Sequence, residues 1–249
     1  MDHSITESKG RALIVAAGPL EEAFAYSYYK TENEKEPFRY VIAADKGLSF
    51  LHQHGIRPDY IIGDFDSLPG QERDAYFAQY VQDPSIVIRT YNPVKDDSDL
   101  EIALHLAAEE LEADEILILG GLGGREDHTF SAVQCLGIPL KKDIPAFLCN
   151  DRNRIRLLGN LEKEPFGGPF SFTMEKSDQY GKYVSLIPLT TTVEGLTLKG
   201  FRYPLDHGRL TILNSLGVSN QVEEDTASIS FESGILIMVE SSDKPKKFL

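Results

Sequence analysis

The chain has 249 residues, of which 41% are hydrophobic and 26% are charged, and this composition predicts a soluble globular protein with one large domain or two modest ones. The formal net charge of −14 argues against a nucleic acid or an anionic membrane surface as partner, so the expected ligand is a small molecule.

The cysteines and the hydropathy of the chain predict its location. Cys135 and Cys149 lie in apolar surroundings without a metal-binding or redox spacing, as reduced core cysteines of a cytosolic protein do. No apolar run is long enough to span a bilayer, and the first residues lack the regions of a signal peptide. We therefore expect the protein in the cytoplasm.

Short apolar runs alternate with helical patterns through the first three fifths of the chain, which is typical of a parallel sheet with crossover helices. The predicted strands are residues 12–16, 40–44, 60–62, 86–89, 115–119 and 146–148. The clearest helix begins with the capping-box pattern of Ser98 and Glu101 and keeps apolar residues on one face as far as Leu111. We predict an α/β N-terminal domain over residues 1–160, with an open, mostly parallel, Rossmann-like sheet.

After about residue 155 the pattern changes to alternating segments broken by Gly, Pro, Asn and Asp, which predicts an all-β region. Its predicted strands are residues 170–174, 183–187, 210–213, 227–231 and 235–239. Residues 162–169, rich in charge, Gly and Pro, are the predicted boundary loop. We predict an all-β C-terminal sandwich over residues 161–249.

Aspartate-rich clusters follow four of the N-terminal strands. They are residues 45–47, 63–67, 95–99 and 120–128. In an open α/β sheet the carboxyl ends of the strands form the edge where ligands bind. Asp64 and Asp66, spaced i, i+2 after an apolar run, are hard oxygen ligands suited to holding a divalent cation against a polyphosphate, and Lys95 and Arg125 add positive charge. The set indicates phosphoryl chemistry.

Each cluster also has an ordinary structural interpretation. An Asp-x-Asp pair occurs in turns and in phosphatases with an aspartyl nucleophile. Ser98 is the expected helix cap, and helix entry explains Asp97 as well as function does. Glycines 120–124 match neither the dinucleotide fingerprint nor the Lys-terminated phosphate loop, and local structure explains His128 better than a role as a base. Only the combination favours a phosphoryl-transfer site.

Taken together, these motifs resemble those of the thiamine pyrophosphokinases. The matching segments, in the family's order, are residues 44–47, 63–68, 95–101, 123–129, 200–205 and 217–220. The resemblance implies an enzyme, a thiamine diphosphokinase, that transfers the intact diphosphate of ATP to the hydroxyl of thiamine and releases AMP. It also implies a homodimer with thiamine held near the subunit interface, between the two kinds of domain.

The resemblance also implies roles for individual residues. The implied Mg2+ ligands are Asp64, Asp66 and Asp99, and Asp127 joins them as the fourth catalytic carboxylate. The implied ATP contacts are Asp45, Lys95, Asp96, Gly123, Gly124, Arg125, Asp127 and His128. The implied thiamine contacts are Tyr203, Ser219 and Asn220, with Tyr203 the candidate for stacking because the chain has no tryptophan.

Two departures from the family pattern leave the nucleotide pose open. Ala17-Gly18 stands where the family usually has Asn-Gly, and Lys46 stands in the turn that usually reads Asp-Gly-Gly.

Two other functions also remain: a pyrophosphokinase of the same fold acting on a pterin alcohol, and a non-catalytic thiamine- or nucleotide-binding regulator. Intact aspartates in every cluster disfavour the regulator.

Overall fold

The computed structural model describes residues 9–64, 70–91, 97–163 and 166–247, without the side chains of Glu72 and Phe77. The strands are β1 (Arg11–Val15), β2 (Phe38–Ala44), β3 (Tyr60–Gly63), β4 (Val87–Thr90), β5 (Glu115–Leu119), β6 (Ala146–Cys149), β7 (Asn153–Leu158), β8 (Phe170–Glu175), β9 (Tyr183–Pro188), β10 (Thr192–Lys199), β11 (Leu205–Thr211), β12 (Thr226–Phe231) and β13 (Leu236–Ser241). The α-helices are α1 (Glu22–Lys35), α2 (Gly47–Gln53), α3 (Gly70–Tyr80), α4 (Asp99–His105), α5 (Glu126–Cys135) and α6 (Gly137–Lys141), and a π-helical segment, Leu106–Glu110, continues α4.

Nine strands form one large sheet in the order β4-β3-β2-β1-β5-β6-β7-β13-β9. The strands from β1 to β6 pair in parallel, whereas β7, β13 and β9 pair antiparallel. β1 lies between β2 and β5, with Ile14 opposite both Ile42 and Ile118. The predicted parallel Rossmann-like sheet is confirmed, and all carboxyl ends of its parallel strands share one rim.

Helices cover both faces of the parallel part of this sheet. Ala12 and Ile14 of β1 pack into a core with α4 and α5, while Leu13 and Val15 pack into a second core with α1, α2 and α3. These residues are fully buried because β1 has a helical layer on each side. Burying each large aliphatic side chain contributes about 1.5–3 kcal/mol, so the two cores hold the rim in place.

The second sheet has four antiparallel strands in the order β11-β10-β12-β8. Its inner face packs on the antiparallel strands of the large sheet, in a core that contains Leu198 and Ile229 from one side and Val184, Leu186 and Met238 from the other. The predicted C-terminal sandwich is therefore present. One of its two sheets is continuous with the N-terminal sheet, and the division between residues 160 and 161 stays a prediction.

The sequence does not predict β7 and β10, and it predicts a strand at residues 210–213 where β11 runs over Leu205–Thr211. Arg154 and Arg156 interrupt the apolar pattern of β7, so the sequence does not predict this half-buried strand. Glu240 on β13 accepts from Nε of Arg154 at 2.6 Å and pairs that charge, while the Arg156 guanidinium lies over the rings of Phe147 and Phe172. In β10 the register shifts around Gly195, which interrupts the alternation that a strand prediction requires.

Both cysteines are free thiols, as predicted. Cys149 is fully buried beside the hydroxyl of Tyr28, and burial raises the pKa of its thiol to about 12. A thiol with such a pKa stays protonated at neutral pH, which fits a core residue rather than a nucleophile. Among the residues described, no helix is both long enough and apolar enough to cross a membrane.

Candidate active site

The loops that follow β1 and β5 lie against each other at the rim. The backbone N–H of Gly18 donates to the carbonyl oxygen of Gly120 at 2.9 Å. Gly120 has φ +74°, and a Cβ atom there would lie 2.4 Å from the carbonyl oxygen of Ala16. Only glycine permits this approach, so the glycine-rich stretch after β5 serves first to bring the two loops together.

A pocket of about 490 Å³ opens beside these loops. Its walls come from the loop after β1, the end of β2, the beginning of α4, the loop after β5 and one face of α5. The lining residues are Ala16, Ala17, Gly18, Pro19, Ala44, Asp45, Asp97, Ser98, Asp99, Leu100, Gly120, Gly121, Gly123, Arg125, His128, Ser131 and Ala132. None of them comes from the C-terminal sandwich.

Three carboxylates meet beside this pocket. One oxygen from each of Asp45, Asp64 and Asp99 lies within 4.8 Å of the other two. Asp45 is 7% exposed and follows β2 in a left-handed conformation, φ +50°, while its backbone N–H donates to Ile62 at 2.7 Å. Gly63 lies beneath it with φ +146°, and a Cβ atom there would be 3.1 Å from the Cα atom of Asp45. The close pairing of β2 and β3 thus sets the spacing of the first two carboxylates.

The carboxylate cluster suits a hard divalent cation. Three ionised carboxylates at this separation repel one another unless a positive charge compensates them, and oxygen ligands are those that Mg2+ prefers. Asp64 and Asp99 were predicted as metal ligands, and the structure brings them together. Asp45, which the family resemblance predicts as an ATP contact, is the third member. Asp66, Lys95 and Asp96 lie outside the described residues.

Arg125 and Asp127 form an exposed ion pair at the beginning of α5. The two arginine–carboxylate contacts measure 2.5 and 3.1 Å, and this hydrogen-bonded guanidinium lowers the pKa of the Asp127 carboxyl below its ordinary value. Arg125 and His128 line the pocket, whereas Asp127 neither lines it nor belongs to the carboxylate cluster. Asp127 is therefore not part of the cluster in this structure, and its catalytic role stays a prediction. Gly123 lines the pocket, and Gly124 packs against Pro19.

The helix that carries Asp99 begins as the sequence predicts. Ser98 has extended backbone angles, and its Oγ atom accepts from the backbone N–H of Glu101 at 3.2 Å. This is an N-cap, and it fixes Asp99 in the first turn of α4. Ser98 therefore positions the third carboxylate through the backbone.

Replacing Ser98 with alanine should lower the free energy of unfolding by about 1 kcal/mol, because one donor at the helix terminus loses its acceptor. Urea denaturation followed by circular dichroism measures this change. Ser98→Thr keeps a hydroxyl at the same position and is the matched control, with a loss of less than about half that size. Equal stabilities for the alanine variant and the parent protein would show that the cap contributes nothing.

The three residues predicted to contact thiamine lie together in the C-terminal sandwich. Asn220 is 7% exposed. Its Oδ1 atom accepts from the backbone N–H of Tyr203 at 3.0 Å, and its Nδ2 atom donates to the backbone carbonyl oxygen of Tyr203 at 2.8 Å. Tyr203 is 60% exposed, and Ser219 is exposed with φ +63°. Asn220 therefore holds the backbone that presents the Tyr203 ring, a role that the sequence pattern did not reveal. None of the three lines the pocket of its own chain.

Comparison with known proteins gives matches over both halves of the chain. A sequence model described as thiamin pyrophosphokinase, catalytic domain, matches residues 31–148. A second, described as thiamin pyrophosphokinase, vitamin B1 binding domain, matches residues 171–236. Together these ranges cover more than half of the 249 residues.

Individual relatives agree with these matches. The thiamine pyrophosphokinase of Bacillus subtilis (strain 168) is 35% identical over 202 residues, which cover 81% of this chain and 87% of that protein. The crystal structure of thiamine pyrophosphokinase from Bacillus subtilis has a TM-score of 0.76 at 32% identity and covers 94% of this chain and 100% of its own. The crystal structure of thiamin pyrophosphokinase from Geobacillus thermodenitrificans has a TM-score of 0.74 at 30% identity, with 94% and 98% covered.

Proposed function

The chain belongs to the thiamin pyrophosphokinase family, and we propose that ATP binds and reacts in the pocket beside Asp45, Asp64 and Asp99. The protein is a thiamine diphosphokinase, an enzyme that transfers the diphosphate group of ATP to the hydroxyl of thiamine and releases AMP. The observation that carries the location is the carboxylate cluster at the carboxyl ends of parallel strands, the edge where open α/β sheets bind ligands. Nothing in the fold or the relatives favours a pterin alcohol as acceptor or a regulator without turnover.

We propose that Asp45, Asp64 and Asp99, together with Asp66, hold Mg2+. The oxygens of the first three are close enough to share one cation. When bound, magnesium supplies charge neutralisation for the polyphosphate. Arg125 and His128 on the wall of the pocket, and the backbone N–H groups of the loop after β5, supply further phosphate contacts of the kind that helix beginnings and glycine-rich loops provide. Lys95 and Asp96 keep their predicted roles at ATP.

The transfer follows from this placement. A bond forms between the thiamine oxygen and the β-phosphorus of ATP, and the bond from that phosphorus to the α,β-bridging oxygen breaks, so AMP leaves with that oxygen. The hydroxyl proton passes to a carboxylate, for which Asp64, Asp66, Asp99 and Asp127 are the candidates. Positioning and compensation of charge supply most of the acceleration in such reactions.

We propose that the active enzyme is a homodimer in which the sandwich of one subunit completes the pocket of the other. Tyr203, Ser219 and Asn220 do not line their own chain's pocket, which supports a site completed by the sandwich of a second subunit. Exposed apolar residues lie at the end of β9, directly after it, and on the loop that packs against it. They are Ile187, Leu189, Ile212, Leu213, Leu216 and Val218. A grouping of this kind marks an interaction surface, and a second copy of the chain is its proposed occupant.

The division into residues 1–160 and 161–249 and the cytoplasmic location are further proposals. The first rests on the change of sequence pattern near residue 155, and the second on two cysteines without disulfide spacing. The net charge of −14 supports the proposal that neither a nucleic acid nor a membrane is a partner.

With thiamine as acceptor, the nucleotide product should be AMP in a one-to-one ratio with thiamine diphosphate, because the intact diphosphate is transferred. Incubation of purified protein with ATP, Mg2+ and thiamine, followed by mass spectrometry, identifies both products. A parallel reaction with a pterin alcohol tests the alternative acceptor. Stoichiometric ADP with thiamine monophosphate would contradict the reaction class, and turnover of the pterin alcohol alone would contradict the substrate.

A further inference from the structure

A second cavity, of about 360 Å³, lies on the other side of the loop that follows β1; we call it the side chamber. It shares four residues of that loop, residues 16–19, with the larger pocket. Its remaining walls come from α2 and from the region where α1 begins. These walls consist of Leu20, Glu22, Lys46, Ser49, Phe50 and Gln53. The two cavities are therefore neighbours across a single stretch of backbone.

Lys46 is the basic residue that lines the side chamber. Its side chain is exposed and makes no hydrogen bond or ion pair with the part of the chain that the structure describes. The one carboxylate that lines the chamber, Glu22, instead accepts from the imidazole of His54 at 3.1 Å. An exposed ammonium group on the wall of a cavity beside the carboxylate cluster can bind a ligand with negative charge.

Two other polar residues line the chamber. Oγ of Ser49 is buried and has no hydrogen-bond partner among the described residues, and Gln53 lines the same wall. A buried hydroxyl without a partner is uncommon because it loses its hydration without compensation. The side chamber is therefore polar on the wall formed by α2, whereas Phe50 forms an apolar part of its lining.

The position of Lys46 relative to the carboxylate cluster indicates which anion it meets. Asp45 belongs to the cluster and lines the larger pocket, while the next residue, Lys46, lines the side chamber. Their Cα atoms are about 3.8 Å apart, so a phosphate chain bound at the cluster lies within reach of the lysine side chain. The larger pocket, about 490 Å³ against about 360 Å³, has more room for the nucleoside end of ATP, which leaves the smaller chamber for the terminal phosphate.

We propose that Lys46 binds the terminal phosphate of ATP and that the side chamber accommodates this group. The inference rests on the proposed location of the ATP site. Lys46 thereby holds the diphosphate that is transferred, not the AMP that leaves. It is a nucleotide-binding residue, and its ammonium group would recognise phosphate as a compact point charge.

Titration calorimetry in the presence of Mg2+ and without thiamine tests this assignment. Lys46→Met should weaken ATP binding by about tenfold or more, the expected loss of a charge-assisted hydrogen bond, and should leave AMP binding unchanged. Lys46→Arg keeps the charge and should bind ATP nearly as the parent protein does. Lys142→Met is the matched control, since Lys142 is an exposed lysine directly after α6, before β6 begins and thus away from the rim.

Two results would overturn the proposal: unchanged ATP affinity in Lys46→Met, or an equal loss of ATP and AMP affinity. Circular dichroism confirms folding, and Lys46→Gln provides a second neutral variant. The readout is independent of turnover. If the parent protein binds ATP through Lys46 but forms no thiamine diphosphate, the proposed function fails and this inference stands. If thiamine diphosphate forms and Lys46 does not affect ATP affinity, the inference fails alone.

Discussion

Replacement of Asp64 with asparagine should lower kcat by at least about a hundredfold without unfolding the protein, because the neutral amide weakens both metal binding and the positioning of phosphate. Asp64 is half-buried directly after β3, and asparagine has nearly the same size and shape, so the fold should tolerate the change. Asp45→Asn should cause a loss of the same order, since Asp45 belongs to the same cluster. This second variant tests the carboxylate that the sequence does not predict as a metal ligand.

Calorimetric titration with Mg2+ accompanies the rate measurement and should show weaker binding in both variants. The control is Asp74→Asn, which removes one carboxylate from the exposed surface of α3, where Asp74 pairs only with Arg73 among the described residues. This variant should keep the activity of the parent protein. A folded Asp64→Asn enzyme with near-normal kcat and Mg2+ affinity would refute the assignment of the cluster.

Mixed dimers should recover activity when each subunit carries damage in a different half of the shared site. We expect Asp64→Asn and Tyr203→Ala to be nearly inactive as homodimers. In a heterodimer of the two, one site receives both substitutions, while the other is built from two undamaged halves. The heterodimer should therefore regain up to about half of the parent activity per dimer, because one of the two sites of a symmetric dimer is restored.

Two affinity tags, one on each subunit, allow the heterodimer to be purified before assay. Tyr203→Ala is preferable to a change at Asn220, because the Tyr203 ring is exposed whereas the Asn220 side chain supports the backbone of residue 203. A heterodimer of Asp64→Asn and Asp99→Asn is the control: both changes lie in the same half, so neither site is intact. Lack of recovery in the verified Asp64→Asn/Tyr203→Ala heterodimer would support a site contained within one subunit.

Much of the fold was predictable from the sequence because its signals are local. Short apolar runs predict β1, β2, β3 and β5, because strands in a sheet that helices cover on both faces are apolar along their whole length. The N-cap of α4 depends on Ser98 and the three residues after it, so the pattern alone located it. The rule that ligands bind at the carboxyl ends of parallel strands then placed the aspartates of these loops at one rim.

The tertiary structure decided which of these groups meet. Asp45 joins Asp64 because β2 pairs with β3 and because the left-handed turn at Asp45 fits against Gly63. Asp127 pairs with Arg125 two residues before it, although its place in the motif suggested a partner in the cluster. A strand signal does not specify such pairings, since they depend on backbone contacts between separate segments.

The sequence by itself determined the type of each layer, an α/β part followed by a β part, because hydrophobic periodicity is a local property. It did not determine that β13 pairs with β7, which extends the N-terminal sheet into the sandwich, or that Asn220 fixes the backbone of Tyr203. The paired segments in β7 and β13 are about eighty residues apart, and long-range pairing of this kind depends on loop closure and on the packing of the whole chain. Only the tertiary structure shows the β7–β13 pairing and the contacts of Asn220 with Tyr203.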